Sequence, residues 1–217
     1  MGAQGKRIAW GIAIVLVAIV VVAAALSIFC RYGASVRAVS YSCVVALLAV
    51  AALVDVRTRT VPTWIVVAML ALWVVTVWFV PVGSVPGEIG HAFAPIVGSD
   101  ATAVVLDGLM GGVAVGLGML VLSVLVELRS GRASFGGGDI ELLFMVGLFL
   151  GLPASLTMLL AACLIAVVLT MVVSLLLPEE LARREFEETF LHLTIPFAPA
   201  IAIATTLFLV FGPFTLF

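Results

Sequence analysis

The chain is expected to fold as an all-α, polytopic membrane protein with about seven transmembrane helices. Its 217 residues are 65% hydrophobic and 10% charged, more apolar surface than a soluble domain of this length can bury. Apolar runs close to the roughly 20 residues needed to cross a bilayer recur along it. Proline sits at the ends of these runs rather than inside them, at Pro62, Pro81, Pro153, Pro178 and Pro196. Helices follow because lipid offers backbone N–H and C=O groups no partners, so each segment must satisfy its own.

The segments cover about 8–29, 39–55, 63–81, 103–126, 138–151, 154–177 and 195–216. Lys6-Arg7 before the first run imitates a secretory signal, with Ala23-Ala24-Ala25 as a mock cleavage site. The apolar run from Ile8 to Phe29 exceeds the 7–15 residues of such a signal's core, so a retained helix is expected. Residues 1–38 are read as an added helix with an outer loop, and 39–217 as the main membrane domain. The second segment ends at Asp55, before Arg57 and Arg59. The third runs to a Gly/Pro-rich stretch, 82–102, with few charges. The fourth carries Gly108, Gly111, Gly112, Gly116 and Gly118, a series that predicts close helix packing. The fifth starts beside Gly136-Gly137-Gly138-Asp139 and is short. The charged stretch Pro178 to Thr189, with a Glu180–Arg184 pair at i,i+4, reads as an interfacial helix before the last segment.

Orientation comes from the basic residues. Lys6, Arg7, Arg57, Arg59, Arg129, Arg132, Arg183 and Arg184 fall on one side, against Arg31 and Arg37 on the other. Positive residues concentrate in the cytoplasm, which places the N-terminus, Asp55 and Asp139 there and leaves Asp100, Asp107 and His91 outside. The surroundings are lipid. A net charge of −2 argues against a nucleic-acid partner. Cys30, Cys43 and Cys163 show no C-x-x-C spacing and are read as small helix-packing residues. Trp10, Trp64, Trp73 and Trp78 are read as packing residues or interfacial anchors.

Asp55 and Asp139 are the candidates for chemistry, because carboxylates in or near lipid are expensive and are kept mainly for function. The segment ending at Asp55 spans roughly 25 Å as helix and the one starting at Asp139 roughly 20 Å, against a hydrocarbon core of about 30 Å. Both carboxylates are therefore expected in a recess at the cytoplasmic mouth. Two close carboxylates share one proton, leaving one as base and one as acid. A water between them can attack a peptide carbonyl, so no metal or other cofactor is expected. Gly136, Gly137 and Gly138 permit close backbone approach and are read as substrate-binding. Glu141, two residues beyond Asp139, points about 200° away from it on a helix, which argues against catalysis. His192, before the last helix, is read as interfacial.

These residues resemble the type IV prepilin peptidase family, which includes archaeal preflagellin peptidases. The G-x-G-D motif is matched by Gly136 to Asp139, the first aspartate before an apolar-Pro pair by Asp55 and Val61-Pro62, and a C-terminal Pro-Phe-x-Pro stretch by Pro196 to Pro199. The likeness covers about 40–212 and makes 39–217 a prepilin-peptidase-like membrane domain. It implies an aspartic endopeptidase of the cytoplasmic membrane that removes the short basic leader (class III signal peptide) from prepilin or preflagellin precursors. Glu141, with Glu127 and the acidic stretch after Pro178, would attract that leader. Bacterial members often carry Lys where Glu141 stands and Asn or Asp where Thr63 stands. Their cysteine-bearing domain, associated with N-methylation, has no counterpart here, so methyl transfer is not expected. Presenilin-like enzymes share G-x-G-D, but their Tyr-Asp and Pro-Ala-Leu stretches are missing. The alternative from another class is a small transporter or channel passing protons or cations along an acidic pair.

Overall fold

The computed structural model describes residues 3–79, 101–130, 136–176 and 197–212. Among them are seven helices and no strand: α1 (Ala3–Tyr32), α2 (Val36–Thr58), α3 (Thr63–Phe79), α4 (Ala101–Ser130), α5 (Gly137–Leu150), α6 (Leu152–Leu176) and α7 (Ala198–Phe211). One helix stands at each expected segment. Spans within α1, α2, α4 and α6 are long and apolar enough to cross a membrane. α3, α5 and α7 have 17, 14 and 14 residues, so the latter two reach only about 21 Å. Large apolar side chains such as Leu16, Val67, Leu125 and Leu164 point outward, as lipid-facing surfaces of a multi-pass protein do. Leu48, Ile65, Met69, Leu142, Met158 and Ile201 fill the interior, each with no exposed surface.

Helix ends are set by local chemistry. Ser35 caps α2, its Oγ accepting the Ala38 N–H at 3.3 Å. α2 stops at Arg59, which takes the left-handed conformation (φ 54°) and donates its N–H to the Asp55 carbonyl at 2.7 Å. α5 stops at Gly151 (φ 77°), and α6 begins at the next residue. The first N–H of α6, on Leu152, is met from another helix: Asp107 of α4 accepts it through Oδ1 at 3.4 Å. The Asp107 carboxylate occupies the space a Cβ on Gly151 would need.

α4 and α5 pack backbone to backbone. A Cβ on Gly111 would fall 2.7 Å from the Gly147 carbonyl oxygen, and one on Gly112 2.9 Å from that of Phe144. Gly108 and Gly116 face α5 in the same way, whereas Gly118 looks onto open space. Trp73 of α3 donates its indole N–H to the Leu148 carbonyl of α5 at 2.8 Å. Ser40 of α2 and Thr76 of α3 share a buried hydroxyl contact at 2.7 Å. Trp64 and Trp78 are exposed.

α1 packs on α2 and α7 and is held at both ends. At one end Arg31 donates through Nη1 to the Val210 carbonyl at 3.4 Å, against the last turn of α7, with its guanidinium carbon 5.7 Å from the Tyr32 ring centre. At the other, the Arg57 guanidinium lies 5.7 Å from the Trp10 ring centre. Among the described residues α2 and α5 do not pack on each other. α3 and α7 each touch both.

Two expectations change. Cys30, Cys43 and Cys163 are free and exposed rather than packed between helices. Gly118 lies off the packing face because it sits two residues past Gly116, roughly 200° around the helix. The 82–100 stretch with His91 and Asp100, Arg132, the charged stretch Pro178 to Thr189, His192 and Pro196 lie outside the described residues.

Candidate functional site

Asp55 and Asp139 occupy the same end of the bundle. Asp55 lies in the last turn of α2, four residues before the Arg59 cap, and is 4% exposed. Asp139 lies in the first turn of α5, half-buried, its backbone N–H donated to the Gly136 carbonyl at 3.1 Å. They are carried on helices that do not pack together, yet Asp139 lies within electrostatic reach of Asp55. The intervening elements make this possible: α7 brings its N-terminus to Asp55, and the turn after α2 rests on the start of α5.

The helix termini differ at the two carboxylates. Asp55 stands at the carbonyl-rich end of α2, where the helix dipole disfavours an anion. That is offset by the backbone N–H of Ala198, the first residue of α7, which donates to the Asp55 carboxylate, and by Arg59 within electrostatic reach. Asp139 stands in the N-terminal turn of α5, where the dipole favours a carboxylate.

Each aspartate keeps one oxygen uncommitted. Asp55 Oδ2 and Asp139 Oδ1 are buried and have no hydrogen-bond partner among the described residues. Among the described residues the one other buried side-chain oxygen in that condition is Thr205 Oγ1. Buried polar atoms are normally paired, so two orphaned carboxylate oxygens in one place mark a site for water or a polar ligand. Chemically, such a pair can hold one proton between two groups and bind a water molecule. Among the described residues no three His, Cys, Asp or Glu side chains cluster as a metal ion would need.

The three glycines before Asp139 are of two kinds. Gly136 and Gly137 are exposed, and a Cβ on Gly137 would meet nothing within 4 Å. Gly138 is covered: a Cβ there would lie 2.8 Å from the Val61 Cβ. Glu141 is exposed on the next part of α5. Asp107 is remote from the pair in role and place. It caps α6 at the α5–α6 junction, the far end of α5 from Asp139.

Sequence reasoning missed Ala198. A backbone donor has no side-chain signature, and the Pro196 to Pro199 stretch was read only as a mark of resemblance. The available signal was Pro199, in the first turn of α7, which announces a helix N-terminus and hence free N–H groups nearby.

A profile of the type IV leader peptidase family matches residues 42–171. No curated protein matches the chain, and no solved structure does. The matched stretch takes in Asp55, Val61 and Gly136 to Asp139, and stops short of α7 with Ala198. With 130 of its 217 residues matched and both aspartates inside the match, this multi-pass membrane chain belongs to the type IV leader peptidase family, a family of peptidases.

Proposed function

We propose that the chain is an aspartic endopeptidase that removes the short basic leader from prepilin or preflagellin precursors at the cytoplasmic face of the cell membrane. The observation that carries this reading is the convergence of Asp55 and Asp139, each with a buried, unpartnered oxygen. In the proposed reaction one ionised carboxylate takes a proton from a water held between the pair. The resulting hydroxide adds to the scissile carbonyl, and the protonated carboxyl hydrogen-bonds the developing oxyanion. Collapse of the tetrahedral intermediate breaks the C–N bond, the amide nitrogen leaving with a proton from the pair. The pair titrates as a unit, so activity requires its singly protonated form and the pH profile is bell-shaped.

The setting supports a substrate that is itself membrane-embedded. The short α5 and α7 start at the aspartate end, so the pair sits below the lipid surface if the opposite ends are level. Gly136 and Gly137 leave room for an extended substrate backbone beside Asp139, with Gly138 completing the motif behind them. Exposed Glu141 supplies a charge of the sign that a basic leader seeks.

Membranes containing wild type, Asp55→Asn and Asp139→Asn are incubated with a model prepilin. Cleavage is expected from wild type and a loss of at least about 100-fold from each variant, with expression and solubilised melting behaviour retained. Undiminished cleavage by either variant rejects the dyad. Proton or cation flux that depends on both residues, with no cleavage, supports the transporter instead.

A further inference from the structure

We infer that Val61 is a positioning residue for the aspartate pair: seated against Gly138, it locks the turn after α2 to the first turn of α5 and sets the separation of Asp55 from Asp139. This rests on the proposed peptidase reading for its catalytic consequence, but not for its geometry.

Among the described residues α2 and α5 do not pack on each other, so no direct contact between these two helices fixes that separation. A short, stiff path leads from Asp55 to Val61. The Arg59 N–H closes the end of α2 on the Asp55 carbonyl at 2.7 Å. The Thr58 hydroxyl bonds the Val54 carbonyl at 2.9 Å, and the Thr60 hydroxyl bonds that of Thr58 at 3.0 Å. Pro62 follows and accepts the Ile65 N–H at 3.0 Å as α3 starts. The left-handed Arg59 turns the chain back across the bundle end.

Val61 then lands on Gly138, one residue before Asp139. A Cβ at 138 would lie 2.8 Å from Val61 Cβ, 3.4 Å from Cγ2 and 3.5 Å from its backbone nitrogen. The first distance is far inside contact. It involves a Cβ attached directly to the backbone rather than the tip of a flexible side chain. An alanine at 138 must therefore displace the turn or the start of α5, and Asp139 with it. Gly137, its neighbour, has open space where a Cβ would go. The requirement belongs to the one glycine that faces Val61. Val61 is partly buried against the core, so it cannot swing away freely.

Two readouts test this. In a chain with Cys30, Cys43 and Cys163 replaced by Ser, Asp55→Cys and Asp139→Cys are joined by a short bifunctional thiol reagent. Cross-linking is expected in this background and with Gly137→Ala added. A drop of about 10-fold in rate is expected with Gly138→Ala, and recovery when Val61→Gly, which removes the Cβ that an alanine at 138 would strike, accompanies it. In the otherwise native chain, Gly138→Ala is expected to lower kcat for a model prepilin by about 10–100-fold with KM nearly constant, and Val61→Gly to restore most of it. Equal cross-linking in Gly138→Ala and its parent overturns the inference, as does a double variant no better than Gly138→Ala. Should Gly138→Ala not accumulate in membranes, Val61→Gly alone decides: slower cross-linking supports the clamp, and an unchanged rate removes it. Active Asp→Asn variants would instead reject the peptidase dyad, leaving the cross-linking result standing.

Discussion

Asp55 and Asp107 are both nearly buried aspartates, 4% and 6% exposed, and the chain uses them in opposite ways. Asp107 has its carboxylate pressed on the Gly151 backbone and takes the Leu152 N–H, so its work is to start α6. Asp55 takes one N–H, from Ala198, and leaves Oδ2 free. That contrast separates structural from candidate catalytic acid. Asp107→Ala strands the Leu152 N–H and is expected to cost about 1–3 kcal/mol, read as a lower melting temperature in detergent, while the folded fraction still cleaves. Unchanged melting would show that the cap contributes nothing. At this scale the sequence was partly legible. Asp55 and Asp139 stood out as charges in apolar context, and Asp107 was placed on the other side by its segment. Neither Ala198 nor the Val61 contact was visible, because both depend on which remote segments meet. No local pattern encodes that.

The α4–α5 pair shows what an element's sequence can specify. Gly108, Gly111, Gly112 and Gly116 recur at helical spacing and fall on one face, and that face meets α5. Spacing alone predicted tight packing but could not name the partner or exclude Gly118. Gly111→Leu would drive a side chain into Gly147 and Gly151. A loss of about 1–3 kcal/mol is expected, with a lowered melting temperature. Gly118→Leu, with open space in front of it, is expected to be nearly silent, and equal losses at both positions would contradict the packing described. The exposed cysteines make the complementary point. A small residue does not by itself imply a helix contact, because the lipid face accepts small and large side chains alike.

For the whole molecule, the ends of the helices sort into two sets. Asp55, Arg57, Trp10, Val61, Gly138 and Ala198 meet at one end, while Asp107 with Gly151, and Arg31 with Val210, meet away from it. The alternation of ends agrees with the sidedness inferred from arginines, since Arg57 and Arg59 share the aspartate end and Arg31 does not. In intact cells, with the native cysteines replaced, Arg57→Cys is expected to react only with a membrane-permeant thiol reagent, and Val36→Cys also with an impermeant one. Reversal of that pattern would move the aspartates to the outer face and exclude cytoplasmic leader cleavage. Segment number and order were legible because lipid imposes one simple rule on every span. The neighbours of each helix were not, since apolar faces of similar composition can pair in many ways.

The hydrogen bond from Ala198 to Asp55 joins the second helix to the seventh, across 143 positions of chain. A ribosome adding about 5–20 residues per second takes roughly 7–30 s to cover that distance. During that interval first Asp55 and then also Asp139 have been made, but the α7 N-terminus that supports one of them does not yet exist. α7, made after both aspartates, therefore completes the environment of Asp55, and a nascent chain halted before it carries both acids without their finished setting. The order of synthesis itself delays completion of the setting of the aspartate pair until α7 has been made.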